Sequence, residues 1–225
     1  MNDAAKRAAA EAAVALIEDG MLVGLGTGST MRFAIELLGR RRPRITGVPT
    51  SKRTEARARD LGIALVEPDG TTLDLAIDGA DEIEEGTLRL IKGAGGALLR
   101  EKIVAQASRR FVVVGDETKV VPRLGARMPL PVEVATFGWR STLARIGDLG
   151  GKPVLRTNDD DTPMLTDGGN FLCDCAGFAP IADPFTLERD LRAIAGELGT
   201  GLFTLPVEQA IVGRNDGSVR VLRPR

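Results

Sequence analysis

The chain has 225 residues, 43% hydrophobic and 27% charged, a balance typical of soluble globular proteins and sufficient for one large domain or two modest ones. Lys+Arg is 30 and Asp+Glu is 31, a net charge of -1, so no bulk field draws the protein to nucleic acid or to an anionic membrane. There is no histidine and no tyrosine, which excludes histidine triads, histidine proton shuttles and histidine-ligated metals and leaves acid–base chemistry to carboxylates, lysines or cysteines.

The spacing predicts a helix over 3–18, capped by Asn2 or Asp3, with Ala13, Leu16 and Ile17 on its apolar face and Gly20 at its end. Asp3, Glu11, Glu18 and Asp19 deny this N-terminus the apolar core of a signal peptide and the character of a transit peptide. The aliphatic runs are too short to cross a bilayer, and a reducing cytoplasm is the expected location. Met21–Leu25 reads as a buried strand that breaks into Gly24-Leu25-Gly26-Thr27-Gly28-Ser29-Thr30, followed by a helix through Phe33, Ile35, Leu37 and Leu38. A strand over 45–48, a helix over 52–61 closed by Gly62, a strand over 63–66 and an apolar run over 73–77 come next. That run stops at Asp78-Gly79-Ala80-Asp81. After 88–91 comes Lys92-Gly93-Ala94-Gly95-Gly96, then a helix over 97–107 and a strand over 111–114.

Short strands alternating with helices predict an α/β fold, a doubly wound Rossmann-like sheet. The texture changes at Pro129-Leu130-Pro131, beyond which hairpin signals and an Asp183-Pro184 helix start point to a smaller α+β domain over 128–203. Leu187, Leu191, Ile194 and Leu198 are expected on one face of that helix. Residues 210–212, the Asn215-Asp216-Gly217 turn and 219–222 read as a hairpin returning to the first sheet, so the larger domain takes 1–127 plus 204–225. Cys173 and Cys175 stand at i and i+2 on a strand and are expected to be free apolar fillers rather than a disulfide or a zinc site.

Ligands of open α/β sheets sit beyond the carboxyl ends of the strands, where three segments fall here. Gly24–Thr30 offers close backbone approach and the free amides of a helix start, suited to a phosphate, or else only a tight turn with capping hydroxyls. It is neither the dinucleotide fingerprint nor a P-loop. Asp78-Gly79-Ala80-Asp81-Glu82 places carboxylates beside a core, as hydroxyl ligands, metal ligands, a carboxyl of raised pKa, or an acidic turn. Lys92 to Lys102 combines loop amides and a lysine that can hold an oxyanion with Glu101, which can take a proton or merely form a surface ion pair. Lys119, past the strand ending at Val114, is a further contact candidate. The Arg40–Arg44 run reads as a solvated helix end, and Asp159–Asp161 as a hairpin tip rather than a calcium loop.

Taken in order, Gly26-Thr27-Gly28-Ser29-Thr30, Pro49-Thr50-Ser51, Asp78-Gly79-Ala80-Asp81-Glu82, Lys92-Gly93 with Arg100-Glu101-Lys102-Ile103, Leu130-Pro131-Val132-Glu133-Val134, and Thr166-Asp167 with Gly169-Asn170 closely resemble the ribose-5-phosphate isomerases of the A type. The resemblance implies interconversion of D-ribose 5-phosphate and D-ribulose 5-phosphate in the non-oxidative pentose phosphate pathway. It implies no metal or organic cofactor, and a homodimer or homotetramer. By that resemblance Glu101 is the general base, with Asp78, Asp81 and Lys92 as catalytic partners in contact with substrate. Thr27, Gly28, Ser29, Thr30, Gly79, Ala80, Gly93, Ala94, Gly95, Lys119 and Lys6 complete the substrate contacts. Many relatives are expected to carry glycine at 94; if that position needs a positive φ, Ala94 is strained. An amino-sugar-phosphate isomerase or deaminase would be expected to use histidine, and a sugar-phosphate-sensing module would need a helix-turn-helix; neither feature is present in the sequence.

Overall fold

The computed structural model describes residues 3–225, so a cap from Asn2 lies outside the described residues. Helix α1 (Asp3–Val14) buries a face of Ala5, Ala9, Ala10 and Ala13, small side chains that allow close packing. It ends before the expected residue 18. Leu16 N bonds Ala13 O and Ile17 N bonds Val14 O, so the bonding tightens to i−3 and the chain turns off toward Gly20 (φ 87).

The next segments follow the predicted alternation, with boundaries moved by a residue or two: β1 (Leu22–Leu25), α2 (Ser29–Arg41), β2 (Thr46–Pro49), α3 (Lys52–Asp60), β3 (Ala64–Leu65) and β4 (Leu75–Gly79). Short β5 (Glu82–Glu84) and β6 (Leu90–Ile91) precede α4 (Leu98–Gln106) and β7 (Phe111–Asp116). A 3₁₀ turn over Glu117–Lys119 leads into β8 (Val120–Val121). The Arg40–Arg44 run is the helix end expected: Arg42 takes the left-handed cap (φ 48), and Arg44 pairs with Asp19 at the surface.

Beyond β8 come β9 (Leu130–Val134), α5 (Trp139–Asp148), β10 (Lys152–Leu155), β11 (Phe171–Ala176), α6 (Pro184–Arg192), β12 (Glu197–Thr200) and β13 (Leu202–Phe203). Helix α6 is capped by Asp183, whose side chain accepts from Phe185 N and Thr186 N. It is shorter than its apolar spacing predicts. Ile194 lies past its end, and Leu198 is in β12 and 40% exposed, because Gly196 (φ 92) turns the chain back toward the sheet. Cys173 and Cys175 are free and buried on one face of β11, as expected. The chain closes with β14 (Gln209–Gly213) and β15 (Val219–Leu222).

The main sheet runs β15-β14-β7-β4-β1-β2-β3, parallel from β14 to β3, with β15 antiparallel at the edge as the tail hairpin predicts. Strand residues alternate between its faces: Leu75, Ile77, Val112 and Val114 pack with α1 and α2, while Ala76, Phe111 and Val113 pack on the opposite side with Val104 of α4. From β1 the chain moves outward through β2 and β3, then returns to place β4 on the other side of β1. That reversal makes the β1/β4 boundary the switch point of the sheet, where a crevice opens at the strand ends. A second, antiparallel sheet (β10-β11-β9-β12) is packed by α5 and α6, and a third (β13-β6-β5-β8) joins Leu202–Phe203 to strands that follow Asp81.

Candidate active site

At the switch point β1 runs out into Gly26 and β4 ends in Asp78-Gly79, side by side. An added Cβ at Gly26 would lie 2.1 Å from Asp78 Oδ1, so only glycine lets these two strands bring their ends together. Asp78 Oδ1 accepts from Thr27 N (3.0 Å) and from Gly79 N (2.7 Å), which ties the turn after β1 to the end of β4. Gly28 (φ 134) then swings the chain into α2, whose first turn, at Ser29 and Thr30, faces the crevice with its amides. Lys6 reaches over from α1 to donate to Ser29 Oγ at 2.9 Å.

Opposite this turn, Lys92 follows β6 and Glu101 lies in the first turn of α4. Lys92 Nζ stands 3.1 Å from Asp78 Oδ2 and 3.3 Å from Glu101 Oε2, and also donates to Gly79 O. All three side chains are almost completely buried. Burial raises the pKa of Glu101 to about 8, the charge of Asp78 adding to the rise and Lys92 opposing it. Burial also raises that of Asp78. For Lys92, burial works against the ammonium, but the pull of Asp78 and Glu101 outweighs it and the pKa rises. Two carboxylates thus share one cation, and a proton near neutral pH belongs to the pair.

Between Lys92 and α4 the loop turns at Gly93 (φ 115) and Gly96 (φ 75). Ala94 is not among the residues of positive φ, so the strain that alanine would suffer there does not arise. Its N–H donates to Asp81 Oδ2 at 2.9 Å. Thr27, Gly28, Ser29, Thr30, Gly79, Ala80, Asp81, Lys92, Gly93, Gly95, Glu101 and Lys119 line one small open cleft. Most of the sequence candidates are therefore gathered in one place; Asp78, Ala94 and Lys6 are not part of its lining. Asp78 stands behind the wall, against Lys92, and Lys6 lines the adjoining hollow with Gly28 and Ser29.

Other groups belong to the same site. Thr27 Oγ1 lies within hydrogen-bond distance of Thr50 (2.8 Å), Ser51 (2.7 Å) and Thr54 (3.1 Å), a buried ring of hydroxyls that fixes the turn against the end of β2 and the start of α3. Pro49-Thr50-Ser51 was visible as a motif, but its contact with Thr27 depends on β1 and β2 lying parallel in register. Arg53 borders two neighbouring hollows, and Arg156 reaches the carbonyls of Gly93 and Ala94. Nothing in the local spacing of either arginine signals this.

A doubly wound sheet with a glycine-rich helix start facing a buried carboxylate–lysine–carboxylate cluster defines an α/β protein with an acid–base site at the switch point of its sheet. A family model described as ribose 5-phosphate isomerase A (phosphoriboisomerase A) matches residues 46–217. The ribose-5-phosphate isomerase A of Thermomicrobium roseum is 49% identical over 98% of this chain and 94% of its own length. The solved ribose 5-phosphate isomerase A of Methanocaldococcus jannaschii is 40% identical and superposes with a TM-score of 0.94, covering 99% of this chain and 100% of that one. A D-ribose-5-phosphate isomerase solved in complex with phospho-erythronic acid is 37% identical, with a TM-score of 0.93 and 98% of each chain covered. The chain belongs to the ribose 5-phosphate isomerase A family, and with it to the aldose–ketose isomerases.

Proposed function

We propose that the protein interconverts D-ribose 5-phosphate and D-ribulose 5-phosphate through an enediolate, with Glu101 as the base that carries the proton between C2 and C1. The observation that carries this reading is the Glu101–Lys92–Asp78 cluster at the switch point, opposite the first turn of α2. The phosphate sits on the amides of Gly28, Ser29 and Thr30, with Lys6 at its edge. The sugar's C1–C2 end then extends toward Glu101.

One carboxylate over one face of the planar intermediate can serve both C–H steps. A pKa of about 8 keeps Glu101 basic enough to accept a carbon-bound proton and acidic enough to return it. The buried ammonium of Lys92, together with the amide of Gly95, faces the charge that develops on the sugar oxygens. Asp81, held by Ala94 N, and Asp78 behind Lys92 assist ring opening and proton movement among those oxygens. Lys92 already provides the positive charge that a metal would supply, so the reaction runs without metal or organic cofactor.

The complex of the 37% identical relative with phospho-erythronic acid supports this reading, since that compound joins a phosphate to a carboxylate across a short polyol. The enzyme works in the non-oxidative pentose phosphate pathway, in the cytoplasm, as a homodimer or homotetramer, and binds neither nucleic acid nor membrane. Residues 1–127 with 204–225 form one folding unit and 128–203 a second, whose apolar cluster draws mainly on its own strands and helices.

Ketose formation from ribose 5-phosphate in the presence of a chelator tests the reading. Turnover should survive chelation and fall by roughly 10³-fold in Glu101→Gln with the fold retained. A fully active Glu101→Gln enzyme, or activity that needs an added divalent metal, would overturn it.

A further inference from the structure

Arg156, just past β10, uses its whole guanidinium. Nε and Nη2 hold Asp174 of β11 as a two-point pair at 2.8 and 2.5 Å, while Nη1 donates to Gly93 O (3.0 Å) and Ala94 O (3.1 Å). The side chain is only 17% exposed. Those two carbonyls belong to the peptide units whose other ends are the N–H groups of Ala94 and Gly95. Ala94 N–H points at Asp81, and Gly95 lines the cleft. The arginine thus stands on the far side of two peptide planes from the cleft.

We propose that Arg156 is a positioning residue for the isomerisation: anchored by Asp174, it orients and polarises the 94–95 peptide so that the Gly95 amide faces the enediolate, and it braces the 93–94 peptide, whose Ala94 N–H holds Asp81. A cationic donor at a carbonyl fixes the direction of the peptide dipole and strengthens its N–H as a donor. Within the loop Gly96 N–H donates to Gly93 O at 3.1 Å, but Ala94 O is bonded by Arg156, so the lock on the 94–95 peptide is not supplied by the loop's own turn. It comes instead from the antiparallel sheet. The forked geometry is what allows one residue to hold Asp174 and both carbonyls at once, which an ammonium cannot do.

This inference rests on the proposed enediolate reaction. Phospho-erythronic acid is the probe, because its carboxylate places a full negative charge where the enediolate would carry one. In Arg156→Met, kcat for ribose 5-phosphate should fall about tenfold to a hundredfold, and the inhibition constant of phospho-erythronic acid should rise by a similar factor. KM should move less than threefold. Arg156→Lys, which keeps the cation and so protects the fold, should recover part of both losses.

A ratio of inhibition constant to KM that stays at the wild-type value in both variants overturns the proposal. A loop that is merely loosened lowers the amount of active enzyme and leaves both constants unchanged. Failure of the underlying reaction is distinguishable, since it would appear as wild-type protein without turnover, before any arginine is changed.

Discussion

Glu101 and Lys102 are consecutive residues of α4, yet they face two buried ionic clusters of opposite character. Glu101 shares Lys92 with Asp78, two carboxylates on one cation. Lys102 is matched by Glu188 at 2.5 Å and also donates to Leu202 O (2.7 Å) and Thr200 Oγ1 (3.4 Å), while Thr204 donates to the other oxygen of Glu188. Phe203 lies between the clusters, its ring centroid 5.5 Å from Lys92 Nζ and 5.1 Å from Lys102 Nζ. The directions of titration differ accordingly. Burial lowers the pKa of Lys102 despite the pull of Glu188, whereas excess negative charge overcomes burial and raises that of Lys92. A balanced pair fastens α4 to α6 and the chain after β12. An unbalanced one keeps a proton poised to move, which is what a general base requires.

The sharpest way to break this comparison is to remove each lysine in turn. Lys92→Met should lower kcat/KM for ribose 5-phosphate by roughly 10³-fold, since the charge facing the developing oxyanion is gone. Lys102→Met should leave kcat per folded molecule within about threefold and instead cost about 3–5 kcal/mol in urea unfolding, the penalty of stranding Glu188. Adding Glu188→Gln to Lys102→Met should return part of that stability. Equal loss of activity in the two single variants would show that the clusters are not separate.

The next effect sets Glu101 against its own fold. Its folded-state pKa of about 8 lies above the ordinary value of 4.5, so the protonated form is favoured by folding. That stability is fully present below about pH 4.5 and is lost as pH rises through about 8. Glu101→Gln should therefore melt at the wild-type temperature near pH 4.5 and, at pH 9, above it by on the order of 5 °C. With Glu101 as the proposed base, the same ionisation should govern activity in the opposite sense. The kcat/KM of the wild type should rise about tenfold per pH unit and level off near pH 8, as Glu101 becomes the base. A Glu101→Gln variant less stable than wild type at pH 9 would mean that the ion pair with Lys92 outweighs burial.

How much of this was legible in the sequence follows from how local each feature is. Lys92, Asp78 and the 26–30 turn announce themselves because each sits where an apolar run stops, and the parallel alternation fixes which end of the sheet they share; Glu101, inside a helix, reads equally as a surface ion pair and stands out only through the family resemblance. The hydroxyl ring around Thr27 is hidden, because Thr50 and Thr54 meet it only through strand register and helix docking. Arg156 is hidden for a related reason, its partners lying 18, 63 and 62 positions away. In the smaller sheet, β9 was obscured by Pro129 and Pro131, and α5 offered few apolar positions, burying only Thr142 and Ile146. The apolar spacing of Ile194 and Leu198 extended α6 too far because periodicity cannot register a turn made by Gly196.

The smallest effect probes the edge of the structural cluster. Glu197 of β12 has a buried Oε1 with no hydrogen-bond partner among the described residues, and burial raises its pKa to about 7, with Lys102 and Arg192 opposing the rise. Here the balanced cluster resembles the one around Lys92, an acid near a lysine that already has a partner. The raised pKa means that its stabilising contribution is complete below about pH 4.5 and gone once pH passes about 7. Glu197→Gln should consequently gain stability relative to wild type between pH 5 and pH 9, by about 1–2 °C in Tm, smaller than the Glu101 effect because the side chain is less deeply buried. Taking the difference between the two pH values cancels any constant cost of the amide itself. Catalysis should not follow: kcat at pH 8 should stay at the wild-type value, because Glu197 lies on the Lys102 side of Phe203, away from Glu101, the proposed base. A change in the pH profile of kcat/KM in Glu197→Gln would mean that the two clusters exchange charge through Phe203 after all.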